Sequence, residues 1–217
     1  GSASLSVNID GKKIVMVDDT EMSAMSFNVY VAHQNEADFG ERVLTMVKNY
    51  MPDTIGFQEA SPTWMKTLTA GLSASYAYVG EGRDGGSKGE YNPIFYRKDK
   101  FKLIESGTKW LSDTPDVVSK YSESSLNRIM TYAVLERISD GKIFVHINTH
   151  LHHQGSESRV KQAAVLVELM KEFSDYPIIL TGDFNCKSSS AEFKIINTSG
   201  VTVSSSVAQV KENNVGT

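Results

Sequence analysis

Short apolar runs that stop abruptly at polar residues recur along this chain, and between them apolar residues fall at helical spacing. Val7 to Val17 alternates apolar and polar side chains around Asp10-Gly11, a pattern that predicts a β-hairpin. Met25 to Val31 predicts a strand with Phe27, Val29 and Val31 on one face and Ser26, Asn28 and Tyr30 on the other. From Asp38 to Met51, Val43, Val47 and Tyr50 share one helical face, and the helix should end before Pro52. Thr54 to Phe57 reads as a short buried strand running into Gln58-Glu59. Pro62 opens the next helix, to about Leu72, with Trp64, Leu68 and Leu72 as its apolar stripe. Gly80 to Gly89 is a glycine-rich loop with no helix after it, so it is neither a dinucleotide fingerprint nor a phosphate-binding P-loop.

Further strands are predicted at Pro93 to Arg97 and Lys102 to Trp110, followed by a polar loop from Ser112 to Ser125. Ile129 to Ile138 and Lys142 to Thr149 form a hairpin across Ser139-Asp140-Gly141-Lys142, and its second strand runs into His150-Leu151-His152-His153. Ser156 to Phe173 predicts a helix with Val160, Ala163, Ala164, Val167 and Met170 inward. The run Pro177 to Leu180 then predicts a buried strand that stops at Thr181-Gly182-Asp183-Phe184-Asn185. There Gly182 permits a close backbone approach, Phe184 points to the core, and Asp183 and Asn185 share the opposite face. The mixture of hairpins and strand-helix-strand units predicts an α/β (α+β) fold, either a mixed sheet or a pair of sheets flanked by helices.

With 217 residues, 40% of them hydrophobic, the chain can bury one substantial core, which predicts a single domain. A net charge of -4 and a pI near 5.8 argue against avid binding of duplex DNA, because proteins that hold nucleic acid by general electrostatics carry a basic face. Cys186 is the only cysteine, which excludes an internal disulfide and reads as a small core residue. No apolar run reaches the length of a membrane span, so a soluble chain without a transmembrane segment is expected. The chain begins Gly1-Ser2, compatible with a secreted protein whose signal peptide has been removed, and the sequence assigns no cellular location.

Four predicted strands end on or pass through polar groups that folding does not require: Asn28, Glu59, His150 with His152, and Asp183 with Asn185. Strand ends gather at one edge of a sheet, so a shared site accounts for all of them together. Taken singly, each has an ordinary structural reading. Glu59 can serve as a helix-entry carboxylate, His150 as a hydrogen-bonded strand end and His153 as a solvated side chain. The Asp183 and Asn185 pair suits a hard cation and a phosphate oxygen, and it suits a capped turn as well.

Met25-Ser26-Phe27-Asn28-Val29, Phe57-Gln58-Glu59, Asn148-Thr149-His150-Leu151 and Thr181-Gly182-Asp183-Phe184-Asn185 occur in that order, and together they resemble the endonuclease/exonuclease/phosphatase superfamily, of deoxyribonuclease-I-like fold. The resemblance implies a four-layer sandwich of two mixed β-sheets flanked by helices. It places the domain at residues 23–217, after a leading hairpin or linker at residues 1–22. It implies a phosphoesterase that attacks a phosphodiester or phosphomonoester directly with water, using Mg²⁺ or Mn²⁺. By the same resemblance Glu59 is the principal metal ligand with Asn28 beside it, Asp183 and Asn185 orient the attacking water and phosphoryl oxygens, and His150 contacts the scissile phosphate. Glu90 falls where some relatives place a carboxylate partner for that histidine, a pairing that would raise its pKa and favour imidazolium. Arg128 falls where relatives hold a phosphate-binding arginine, and a structural ion pair is its alternative. Nucleotides, small phosphodiesters, phospholipid headgroups and single-stranded nucleic acid are the substrate classes left open. Trp64 and Trp110 are candidates for stacking on a base or sugar and equally for the core.

One departure counts against full activity. The family closes with an aspartate on a late strand and a Ser-Asp-His motif, whereas this chain has no Asp-His dipeptide and no histidine after His153. An incomplete domain lacking its last strands, with a formed site and weak turnover, is therefore expected. The alternatives are a non-catalytic phosphate- and metal-binding relative without that general base, and a glycosidase using Glu59 and Asp183 as its carboxylate pair.

Overall fold

Residues 5–9, 12–16 and 22–201 are described in the computed structural model of this chain. Strands β1 (Leu5–Ile9) and β2 (Lys12–Met16) pair antiparallel, as the leading hairpin pattern predicts, while Asp10, Gly11 and Val17 lie outside the described residues. The first four-stranded sheet contains β3 (Ala24–Asn28), β4 (Thr54–Gln58), β5 (Tyr76–Val79) and β6 (Ile94–Arg97), in the order β3-β4-β6-β5. The second contains β7 (Phe101–Trp110), β8 (Ile129–Arg137), β9 (Ile143–His150) and β10 (Ile178–Asp183), in the order β10-β9-β8-β7. Only β3 with β4 and β10 with β9 run parallel, so both sheets are mixed.

Strand period distributes the side chains into layers. Met25 and Phe27 of β3 and Ile55 and Phe57 of β4 pack with Val43, Leu44 and Val47 of α1 (Ala37–Tyr50) and with Trp64, Leu68 and Leu72 of α2 (Pro62–Leu72). Met130, Tyr132 and Val134 of β8 and Val145 and Ile147 of β9 pack with Ala163, Leu166 and Met170 of α3 (Ser156–Lys171) and with Ile196 of α4 (Ala191–Asn197). The alternate residues of both sheets, Val79, Ile94 and Tyr96 against Ala133, Leu135 and Phe144, meet in between. The result is the α/β four-layer arrangement of two mixed sheets flanked by helices.

Three local expectations need correction, and two short elements were not foreseen. The strand predicted through Val31 stops at Asn28, because Asn28 Oδ1 accepts from the Tyr30 amide at 2.8 Å and Glu59 Oε2 accepts from the Val31 amide at 2.8 Å, turning the chain into a short 3-10 turn. On α3, Ala164 is exposed and the inward face carries Ser158, Gln162, Leu166 and Leu169 beside Ala163, Val167 and Met170; Gln162 turns inward because its side chain accepts from the buried His152 amide. Strand β10 is half-buried rather than buried, since among the described residues it pairs on one side only. The polar run after Asn185 contains α4, and β5 precedes the glycine-rich loop; both are too short for periodicity to reveal.

Towards one end, the layer between the sheets is polar. Thr54 Oγ1 lies 2.6 Å from His146 Nδ1, and His146 Nε2 lies 2.8 Å from Thr181 Oγ1. Thr181 Oγ1 and Gln58 Nε2 both bond Asn148 Oδ1, while Asn148 Nδ2 donates to the carbonyls of Phe57 and Pro93. All five side chains are buried and all are hydrogen-bonded, which is the condition under which a buried polar network specifies one arrangement of its elements. It fixes the register of one sheet on the other, and so the positions of the strand ends next to it.

Burial pushes the His146 pKa down to about 3, below the value of an unfolded histidine. The unfolded chain therefore takes up this proton first as the pH falls. The contribution of neutral His146 to stability is complete above about pH 6.5 and is lost between there and about pH 3. Urea midpoints measured across that window should fall steeply in the parent protein. In His146→Gln the slope should be shallower, retaining the share of the other buried histidines, and an unchanged slope would show that His146 is not held neutral.

Candidate active site

The polar layer opens where β3, β4, β9 and β10 end. Asn28 closes β3, Glu59 follows β4, His150 closes β9 and Asp183 closes β10. Parallel pairing of β3 with β4 and of β9 with β10 is what puts these ends on the same edge of each sheet. Asn28 Nδ2 donates to Glu59 Oε1 at 2.8 Å and to Asp183 Oδ2 at 3.0 Å, so one amide bridges carboxylates 124 positions apart in sequence. Asp183 Oδ1 accepts from the Asn185 amide, and Asn185 Nδ2 reaches Leu151 O at 3.0 Å and His150 Nε2 at 2.9 Å. Ligand atoms of Glu59, His150 and Asp183 all lie within 4.8 Å of one another.

Backbone strain is concentrated here. Four non-glycine residues among those described have positive φ: Tyr30, Met51, Glu59 and Asn185. Met51 is a helix C-cap, and the other three surround the carboxylates. Such conformations cost about 1–3 kcal/mol each and persist only where the surroundings over-determine them. Gly182 makes the predicted close approach: a Cβ there would stand 2.7 Å from the Thr149 carbonyl oxygen.

Two guanidinium groups flank the cluster. Arg128 is buried, with its Nη2 3.3 Å from His153 Nδ1, its Nε without a partner and no carboxylate bonded to it. Burial, and then the charge of Arg83, lowers its pKa to about 10, while Glu90, Asp183 and Glu59 act in the opposite sense, so it stays charged at neutral pH. Among the described residues Arg128 forms no ion pair within bonding distance, which was its alternative reading. Arg83 Nη1 instead pairs with Glu90 Oε2 at 2.8 Å.

That last contact corrects the role expected of Glu90: it pairs with Arg83, not with His150. The histidine is accordingly not an imidazolium. Burial first, and Arg128 next, push its pKa down to about 3 against a weaker upward pull from Asp183. Asn185 Nδ2 points at Nε2, which leaves Nε2 as the acceptor and a proton on Nδ1, a buried atom with no partner. Of the remaining candidates, His152 is buried, its amide donates to Gln162 of α3 and its ring lies edge-on to His153. Both tryptophans are buried, with Nε1 of Trp64 donating to Tyr30 O and Nε1 of Trp110 to Arg83 O, so neither is a stacking surface. Cys186 is half-buried, and burial pushes its thiol up to about 11.

Sequence reasoning missed Arg83, Tyr30 and the layer of Thr54, Gln58, His146 and Thr181 behind the site. One signal was available: His146, Asn148 and His150 recur at every second position of a strand whose other residues, Thr149 apart, are apolar, which puts three polar side chains on one face.

Two acidic side chains held together by one amide donor form a hard, anionic oxygen pair, and a divalent cation is the ligand that such a pair fits. Glu59 and Asp183 would hold it, with His150 Nε2 in reach.

Comparison with known proteins gives a consistent picture. The sequence profile of the Endonuclease/Exonuclease/phosphatase family matches residues 25–202. An endonuclease/exonuclease/phosphatase structure from Bacteroides vulgatus superposes with a TM-score of 0.76 at 35% identity, covering 82% of this chain and 70% of that one. The mannosyl-6-phosphatase of Bacteroides thetaiotaomicron superposes with a TM-score of 0.74 at 33% identity, covering 83% of this chain and 71% of that one. Among curated proteins, the 3'-5'-exoribonuclease subunit Ccr4 of the Saccharomyces cerevisiae CCR4-Not complex is 30% identical over 133 residues, which is 51% of this chain and 16% of that protein.

Proposed function

This chain belongs to the endonuclease/exonuclease/phosphatase family, and on that premise we propose that it is a phosphoesterase that uses Mg²⁺ or Mn²⁺ to hydrolyse a phosphodiester or phosphomonoester by direct attack of water. The observation that carries the reading is the single amide of Asn28 bridging Glu59 and Asp183 beside the buried Arg128, which among the described residues has no carboxylate bonded to it. A phosphate ester resists water because its own charge repels the nucleophile, so cationic groups must neutralise it.

A divalent cation, when bound, supplies Lewis-acid polarisation of a phosphoryl oxygen. The chain's own residues do the rest. Glu59 and Asp183 hold the cation, and Asn28 keeps the two carboxylates in register. Arg128, charged and desolvated, binds a non-bridging phosphoryl oxygen. Asn185 and neutral His150 orient the reacting oxygens through hydrogen bonds, while Glu90 acts one step removed by holding Arg83. In this reading residues 23–217 form the catalytic domain and residues 1–22 a leading hairpin or linker. Since no histidine follows His153, the Asp-His base implied by the resemblance is not among these residues, and turnover by this chain alone is expected to be weak.

Hydrolysis of bis-p-nitrophenyl phosphate and p-nitrophenyl phosphate with Mg²⁺ or Mn²⁺ tests the proposal. Slow turnover abolished by EDTA is the expected result. Turnover indifferent to EDTA would sink the metal route, and fast turnover would show that the chain needs no further base.

A further inference from the structure

We infer that Tyr30 is the specificity residue of this site, offering its ring to a planar ring, aryl or nucleobase, carried by the phosphate ester; the inference rests on the phosphoesterase reading and names its substrate class. Tyr30 is 54% exposed, and among the described residues it is the one exposed large apolar side chain next in sequence to the carboxylate cluster. Its amide donates to Asn28 Oδ1 at 2.8 Å, and the other end of the same Asn28 side chain touches both Glu59 and Asp183. The Cα of Tyr30 is one bond, about 1.5 Å, beyond that amide nitrogen. The side chain therefore starts at the lip of the cluster.

Folding alone does not ask for tyrosine at this position. With φ at 59° the backbone is in the left-handed region, where glycine or asparagine fits at least cost. The conformation is nevertheless fixed from both sides: the amide bonds Asn28, and the carbonyl accepts from Trp64 Nε1 at 3.2 Å and from the His33 amide at 3.1 Å. The ring is neither a cap nor part of the core. It is held from behind, edge-on to His33 at 4.9 Å between centroids, with His33 stacked on Phe39 at 4.3 Å and Phe39 edge-on to the buried Trp64 at 6.0 Å. His33 is itself anchored through Nδ1 to Glu36. An aromatic ring with one side braced against the core and more than half its surface in solvent, beside a phosphoryl site, is a pre-organised stacking surface. Such surfaces contribute about 1–3 kcal/mol per stacked base, roughly tenfold to a hundredfold in affinity.

Binding of hydrolysis-resistant ligands tests this without requiring turnover. With Mg²⁺ present, titration calorimetry compares methylphosphonate, phenylphosphonate and thymidine 5′-phosphorothioate. The protein should bind one or both ring-bearing ligands at least about tenfold more tightly than methylphosphonate. Preference for the thymidine ligand alone would assign a nucleobase, and preference for the phenyl ligand alone an aryl group. Tyr30→Phe should keep the preference and Tyr30→Ala should lose it. Tyr30→Asn, which relieves the backbone strain, should lose the preference while gaining stability. Equal affinity for all three ligands in the parent, or a preference that survives in both Tyr30→Ala and Tyr30→Asn, overturns the inference and leaves the phosphoesterase reading standing. Absence of any phosphonate binding, with or without Mg²⁺, overturns both.

Discussion

Replacing Glu59 by glutamine is expected to remove the response to divalent cations while leaving the fold intact. Glu59 and Asp183 are two acidic groups within 4.8 Å, neutralised among the described residues by no bonded cationic side chain and joined through the Asn28 amide. A cation between them relieves like-charge repulsion and binds only the folded state, so Mg²⁺ at a hundred times its Kd should stabilise the parent by about 2.7 kcal/mol. For a chain of this length that corresponds to a Tm rise of roughly 5–10 °C. Glutamine removes the charge and keeps one oxygen, which can accept from the Val31 amide or from the Asn28 amide but not from both. The variant should therefore fold, with the relief of like-charge repulsion set against one lost hydrogen bond, and show no Mg²⁺-dependent rise in Tm. Its turnover in any active form should fall on the order of 10³-fold, the loss expected when several kcal/mol of transition-state charge stabilisation are removed. A Glu59→Gln protein whose Tm still climbs with Mg²⁺ would place the cation elsewhere.

How much of this site could be read from the chain follows from which interactions are local. Strand ends are local events: an apolar run that stops at Glu59, His150 or Asp183 is visible in sequence, and parallel pairing then brings those ends to one edge together with Asn28. Periodicity gave strands and helices and left a mixed sheet or a pair of sheets open, because burial of one strand face writes a period into the sequence but not the stacking of sheets; the resemblance supplied the layers. Contacts set by loop geometry left no such trace. Arg83 and Glu90 pair because Arg83 donates its amide to the Glu90 carbonyl across a turn of the glycine-rich loop, and nothing in the spacing distinguishes that from a Glu90 directed at His150. The protonation of His150 was misread for a related reason. Its desolvation comes from packing by both sheets, which outweighs any single charge partner and cannot be seen one strand at a time. The early end of β3 follows the same rule, since the atoms that bend it belong to Asn28 and to Glu59, 31 positions away.

The polar layer between the sheets yields the prediction with the largest effect on stability. Gly56 lies in the middle of β4, facing β9 and β10. A Cβ at this position would stand 2.1 Å from Thr181 Oγ1 and 2.5 Å from Asn148 Oδ1, far inside van der Waals contact. Neither neighbour is free to move. Thr181 is bonded to His146 and Asn148, and Asn148 is tied to Gln58 and to the carbonyls of Phe57 and Pro93. Gly56→Ala must then either push the sheets apart or break this network and strand buried polar atoms, each among the mutational mechanisms that reach ~4 kcal/mol or more. Against a typical total of about 5–15 kcal/mol, most of the margin disappears. Urea unfolding should report a loss of that size, or the variant should fail to accumulate in folded form. Thr181→Ala removes the nearer clashing oxygen at the cost of a partner for His146, so the double variant Gly56→Ala/Thr181→Ala should be less destabilised than the sum of the two single changes. Strict additivity, or a Gly56→Ala protein within ~1 kcal/mol of the parent, would mean that the sheets are not locked at this spacing and that the strand ends carrying Glu59, His150 and Asp183 are held in place by something other than the network behind them.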